Sequence, residues 1–101
     1  MASQPEADVE TDAVLAFIRE QQSVVLENAI DQLSTCTPDE LRPVVHAIYG
    51  TLGSYRLTTA HEAVSALSVT LNAPGSTPSD IEEARASTVE TLRAAATEVA
   101  S

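Results

Sequence analysis

Apolar residues recur along this chain at the three- and four-residue spacing of helices, and no stretch alternates as a strand does. The first periodic run extends from about Thr11 or Asp12 to Leu33. Leu15, Ile18, Val25, Leu26, Ala29 and Leu33 form its stripe, widened by Val14 and Phe17, while Arg19, Glu20, Glu27 and Asp31 lie off it. Thr37-Pro38-Asp39-Glu40 then reads as a helix start: a hydroxyl cap, a proline at the first helical position and a glutamate three after the cap. Leu41, Val45, Ile48 and Leu52 define one face of this second helix, and Pro43 is expected to bend it early. A third helix follows Thr58-Thr59, with Thr59 and Glu62 placed for another capping box and a stripe of Ala60, Ala63, Val64, Leu67 and Leu71. Asn72-Ala73-Pro74-Gly75-Ser76 ends it. Thr77-Pro78-Ser79-Asp80 repeats the start signal, and Ile81, Ala84, Thr88, Leu92, Ala95 and Val99 make the fourth stripe.

Four amphipathic helices on short connections predict an all-α, antiparallel up-and-down four-helix bundle. The expected core is Leu15, Ile18, Val25, Leu33, Leu41, Val45, Ile48, Leu52, Val64, Leu67, Leu71, Ile81, Leu92 and Val99, because each helix must bury its stripe. Residues 1–10 are polar and acidic, contain Pro5 and show no periodicity. They are expected to form a short disordered tail ahead of the bundle at 11–101. Around residues 53–58 the second helix either runs on or turns a tight corner into the third.

A chain of 101 residues is long enough for one domain with its own core. Aromatics are only 3 % of it, so Ala, Val, Leu and Ile must supply that core. Fifteen acids against five bases give a net charge of -10. That charge argues against a nucleic-acid backbone or an anionic membrane surface as the partner. All the bases are Arg, at 19, 42, 56, 85 and 93, which excludes a lysine Schiff base or a P-loop. Cys36 is the sole cysteine, so no intramolecular disulfide or Cys-rich zinc site is expected. No apolar run reaches the roughly 18 residues of a membrane span, and the N-terminus does not read as a signal peptide, so a cytoplasmic location is expected.

His46 breaks the amphipathic pattern. With Leu41 at zero on a helical wheel, Val45, Ile48 and Leu52 fall within about 40°, whereas His46 falls at about 140°. Gly53 lies at about 120° and Gly50 at about 180°, flanking the histidine's face. Mid-helix glycine costs about 0.5–1 kcal/mol relative to alanine. Here the pair strips side chains from the surface beside an exposed imidazole, where another protein can approach.

The run His46-Ala47-Ile48-Tyr49-Gly50-Thr51-Leu52-Gly53-Ser54-Tyr55-Arg56-Leu57 resembles the phosphorylation motif of histidine-containing phosphotransfer domains. His46, Ile48, Gly50, Thr51, Gly53, Ser54 and Leu57 fit it. The helix before the motif and the helix pair at 60–71 and 80–99 echo the family's order. The resemblance implies a histidine phosphocarrier in a two-component phosphorelay, with His46 as phosphoryl acceptor. Its partners are then a response-regulator receiver domain or a hybrid histidine kinase. Such a carrier is not an enzyme in its own right and needs no cofactor. The family usually carries Lys where this chain has Tyr49; Arg42, at about 100° on the wheel, is the first substitute for that charge and Arg56 the second.

The rival expectation is a helical-bundle interaction module that binds a kinase or receiver without carrying phosphate. A third is a homodimer whose apolar stripes complete themselves across a two-fold axis. His61 reads as a solvated or capping residue, Glu82-Glu83 as helix-dipole partners, and no metal-ligand spacing is present.

Overall fold

The computed structural model describes the backbone of residues 3–100 and the side chains of residues 12–100. It contains four helices, α1 (Ser3–Thr35), α2 (Leu41–Ser54), α3 (Thr58–Asn72) and α4 (Pro78–Ala100), and no strand among the described residues. Each helix packs on the one before it, and α4 closes the ring on α1. This is the expected up-and-down four-helix bundle. The helix α1 begins at Ser3 and not near Thr11 or Asp12. The disordered tail expected at 1–10 lies outside the described side chains.

Helix ends follow local chemistry. Before α4 the capping box is reciprocal: Thr77 N donates to Asp80 Oδ2 (3.1 Å) and Asp80 N to Thr77 Oγ1 (3.1 Å). Before α2 only one half of the box forms. Glu40 Oε1 accepts from Thr37 N (2.9 Å) and from the Thr37 hydroxyl (2.9 Å), while residues 38–40 make a turn closed by Leu41 N to Pro38 O. The helix therefore starts at Leu41, and Pro43 falls in its first turn, where its missing N–H has no intrahelical partner to lose. The Thr59–Glu62 box does not form; α3 starts at Thr58 without a side-chain cap.

Between α2 and α3 the chain turns a tight corner. Arg56 adopts φ 58°, Leu57 N donates to Leu52 O (3.1 Å) and Arg56 N to Gly53 O (3.2 Å). This is the paired hydrogen bonding of a Schellman close, with arginine where glycine is usual and buried Leu57 as its apolar anchor. Two other arginines close helix C-termini through their side chains. Arg42 Nη2 donates to Leu71 O (2.6 Å) and its Nη1 to Asn72 Oδ1 (2.9 Å) at the end of α3. Arg85 Nη1 donates to Cys36 O (2.8 Å) and Leu33 O (3.4 Å) at the end of α1. Arg85 also pairs with Glu82, whose hydrogen bond holds the guanidinium above its ordinary pKa against the opposing effect of burial.

The core is built from Leu26, Ala29, Leu33, Leu41, Val45, Ile48, Leu52, Leu57, Ala60, Val64, Leu67, Leu71, Val89, Leu92 and Ala95. Val25, Ile81 and Val99 pack against it half-buried. Two further expected core residues are exposed: Leu15 is 49 % exposed and Ile18 43 %. The cause is a mismatch of length. The 33-residue α1 is about 50 Å long and the 14-residue α2 about 21 Å. Gln22 Nε2 donates to Tyr55 O (2.9 Å), which sets the end of α2 level with Gln22. The helix α1 runs on past that level, so its stripe outlasts its neighbour.

Candidate functional site

The core face of α2, Leu41, Val45, Ile48 and Leu52, is fully buried. His46, pointing about 100–160° away from those residues, is exposed. Among the described residues its imidazole has no hydrogen bond, ion pair or ring contact. One turn on, a Cβ built at Gly50 would meet nothing within 4 Å, so the surface beside the histidine is open there. A groove of about 410 Å³ runs between α2 and α3 at this level. Arg42, Val45, His46 and Tyr49 line it from α2, and Ser65, Ser68, Val69, Leu71 and Asn72 from α3.

Arg42 thus shares the groove with His46, as its place one turn before the histidine suggested. It is not a free charge, however, because its guanidinium already closes the C-terminus of α3. Arginine carries five N–H donors, so this anchoring fixes the group without exhausting it. Arg56 does not line the groove. It sits past the end of α2, about 15 Å along the chain axis from His46, where it forms the corner.

Tyr49 and Gly53 are joined by a residue that sequence reasoning placed elsewhere. The His61 ring, from the first turn of α3, stacks on Tyr49 with centroids 4.1 Å apart and planes 30° apart. His61 is half-buried, not solvated. A Cβ at Gly53 would stand 3.2 Å from His61 Nε2 and 3.3 Å from its Cδ2. The space that Gly53 leaves is therefore filled from within the molecule, by His61, and only Gly50 leaves open surface. No periodicity links these positions, because they lie on two helices brought together by the corner at Arg56. The one available signal was a mid-helix glycine facing a neighbouring helix's first turn.

Four of the α2 positions, His46, Tyr49, Gly50 and Gly53, thus divide into two kinds. His46 and Gly50 face solvent with nothing against them, whereas Tyr49 and Gly53 hold an aromatic stack that ties α2 to α3. Cys36 is half-buried, lies against Arg85 and does not line the groove. Among the described residues no three His, Cys, Asp or Glu side chains come together as metal ligands, and no helix is long and apolar enough to cross a membrane. Comparisons with protein-family models, curated proteins and solved structures return no match to this chain.

Proposed function

We propose that this protein is a histidine phosphocarrier acting between receiver domains of a two-component phosphorelay in the cytoplasm, with His46 as its phosphoryl acceptor. The observation that carries the proposal is the state of His46: an exposed, unpaired imidazole in the middle of a rigid helix, one turn from a glycine with open space above it. A partner's active site can reach such a ring without any local unfolding. The motif around His46 supplies the second support. In the reaction, a neutral ring nitrogen attacks the phosphorus of a receiver's aspartyl phosphate. The N–P bond forms as the bond to the aspartate oxygen breaks, and the carboxylate leaves. The reverse step on a second receiver returns the imidazole. The acids and metal ion for both steps belong to the receiver, so this chain contributes the nucleophile and its surroundings. The anchored guanidinium of Arg42, in the same groove, supplies the positive charge that Tyr49 lacks.

Two observations favour a second reading, an interaction module that binds a kinase or receiver without accepting phosphate. Arg42 is engaged with the end of α3, and the aromatic Tyr49 stands where a lysine is usual. Incubation with a phosphorylated receiver separates the two. The carrier acquires acid-labile, alkali-stable phosphate, lost in His46→Gln and kept in His61→Gln. Binding without any such label establishes the module instead.

A further inference from the structure

The outer face of α1 carries a second stripe, separate from the one that feeds the core. On a wheel with buried Leu26 at zero, Val14, Phe17, Gln21, Val24 and Asn28 fall at about −120°, 180°, −140°, 160° and −160°, on the side away from the core. Their alternating three- and four-residue spacing is that of the a and d seam of a coiled coil. Among the described residues α1 packs only on α2 and α4, and neither covers this side. Val14 is 57 % exposed and Phe17 62 %, more than Leu15 or Ile18 on the core side. Beside the seam, Glu20, Glu27 and Asp31 fall at about 120°, 100° and 140°, all exposed. None of these three carboxylates has an ion-pair or hydrogen-bond partner among the described residues. Arg19, the sole base of α1, falls at about 20°, toward the core side and away from them.

We infer that this face of α1 is the docking surface for a basic amphipathic helix of another protein, whose apolar stripe covers Val14, Phe17 and Val24 while its Lys or Arg side chains meet Glu20, Glu27 and Asp31. Spacing selects a helix, because a helix repeats its own apolar residues at the interval of this seam. Charge selects a basic one. A second copy of this chain would bring the same three acids to the seam with no base to meet them, on a molecule whose net charge is already -10. Continuity selects the outer seam over the core-facing stripe. A helix laid on Leu15 and Ile18 runs into the end of α2 at Gln22, whereas Val24 and Asn28 lie level with α2 and are still exposed. Gln21 and Asn28, polar at successive a positions, fix the partner's register. No residue of the α2–α3 groove belongs to the seam, so docking there does not depend on His46.

Calorimetric titration of the full chain with a synthetic helical peptide of about three heptads, Leu at a and d and Lys at e and g, tests the docking. The expected result is one peptide bound per chain, with an affinity that falls as salt is raised and with NMR amide shifts concentrated on Val14–Asn28. Phe17→Ser should weaken binding at least tenfold with the helical circular dichroism unchanged, since that side chain is exposed. Glu20→Gln, Glu27→Gln and Asp31→Asn combined should weaken it too and flatten its salt dependence. Leu15→Ser, on the other side of the helix, should leave the affinity as it is. Equal binding by wild type and Phe17→Ser would mean that the peptide reads net charge alone, and overturns the inference. Absence of binding overturns it, as does a loss with Leu15→Ser but not with Phe17→Ser, or tighter binding of the peptide with Glu at e and g. A wild-type dimer in sedimentation velocity that Phe17→Ser dissociates overturns it as well, because the occupant is then a second copy. Affinity and amide shifts are the readouts, so the outcome is independent of whether His46 carries phosphate.

Discussion

Gly50 and Gly53 look alike on a helical wheel, yet a methyl group meets different surroundings at each. At Gly50 it enters open space, so Gly50→Ala should stabilise the fold by up to about 1 kcal/mol through helix propensity alone. At Gly53 the same methyl presses on the His61 ring, which must shift against Tyr49 to make room. Gly53→Ala should therefore gain clearly less than Gly50→Ala, or lose stability, in denaturant unfolding. Equal gains at both positions would mean that the His61 stack is loose. The histidine's exposure was legible from the wheel, because the direction of a side chain on a regular helix follows from its neighbours. The filling of Gly53 was not, because His61 reaches it through a corner whose geometry has no periodic signature. Even so, the pair reads jointly: one glycine opens the surface beside His46, and the other seats the stack that steadies the α2–α3 wall of the groove.

Helix boundaries in this chain are decided by a few polar contacts, and each can be removed singly. Arg56 holds a left-handed conformation that suits glycine better, so Arg56→Gly should raise stability by about 1 kcal/mol. For a domain near this size that is a rise in Tm of about 4–8 °C. A fall in Tm would show that the arginine side chain contributes more than its backbone costs. Arg85 is largely covered and donates to two carbonyls at the C-terminus of α1, besides pairing with Glu82. Arg85→Ala should cost about 1.5–3 kcal/mol, the range of hydrogen bonds to a charged group. Glu40 gives a pH test of the helix start. The Thr37 N–H, and then its hydroxyl, hold the Glu40 carboxyl below its usual pKa. A depressed carboxylate stabilises the fold above its unfolded pKa and loses that contribution as pH falls through its folded value. Wild type and Glu40→Ala should therefore differ in Tm at neutral pH and converge on acidification, a small effect at an exposed site. The Thr-Pro starts were readable because capping is local. The arginine closures of α1 and α3 were not, since each side chain reaches a carbonyl on a helix distant in sequence.

Across the whole molecule, the periodic stripes identified every helix and most of the core, but they say nothing about where a neighbour stops. Leu15 and Leu67 occupy equivalent stripe positions; one is half-exposed and the other is 1 % exposed. Burial depends on whether another helix lies alongside, and that depends on relative helix length, a property of the assembled bundle. The consequence is a gradient of stability along one continuous helix. Leu67→Ala should cost about 2–5 kcal/mol, through lost transfer energy and a residual cavity. Leu15→Ala removes a side chain that the fold leaves half in water, and should cost clearly less, about 1 kcal/mol or below. Amide hydrogen exchange gives the same contrast without mutation. Amides of α1 from Leu26 to Leu33 sit under the core and should open only with global unfolding, whereas those at Val14–Ile18 should exchange through local fraying. Equal protection of the two halves would mean that another helix covers the N-terminal half of α1, contrary to the length mismatch that leaves Leu15 and Ile18 exposed.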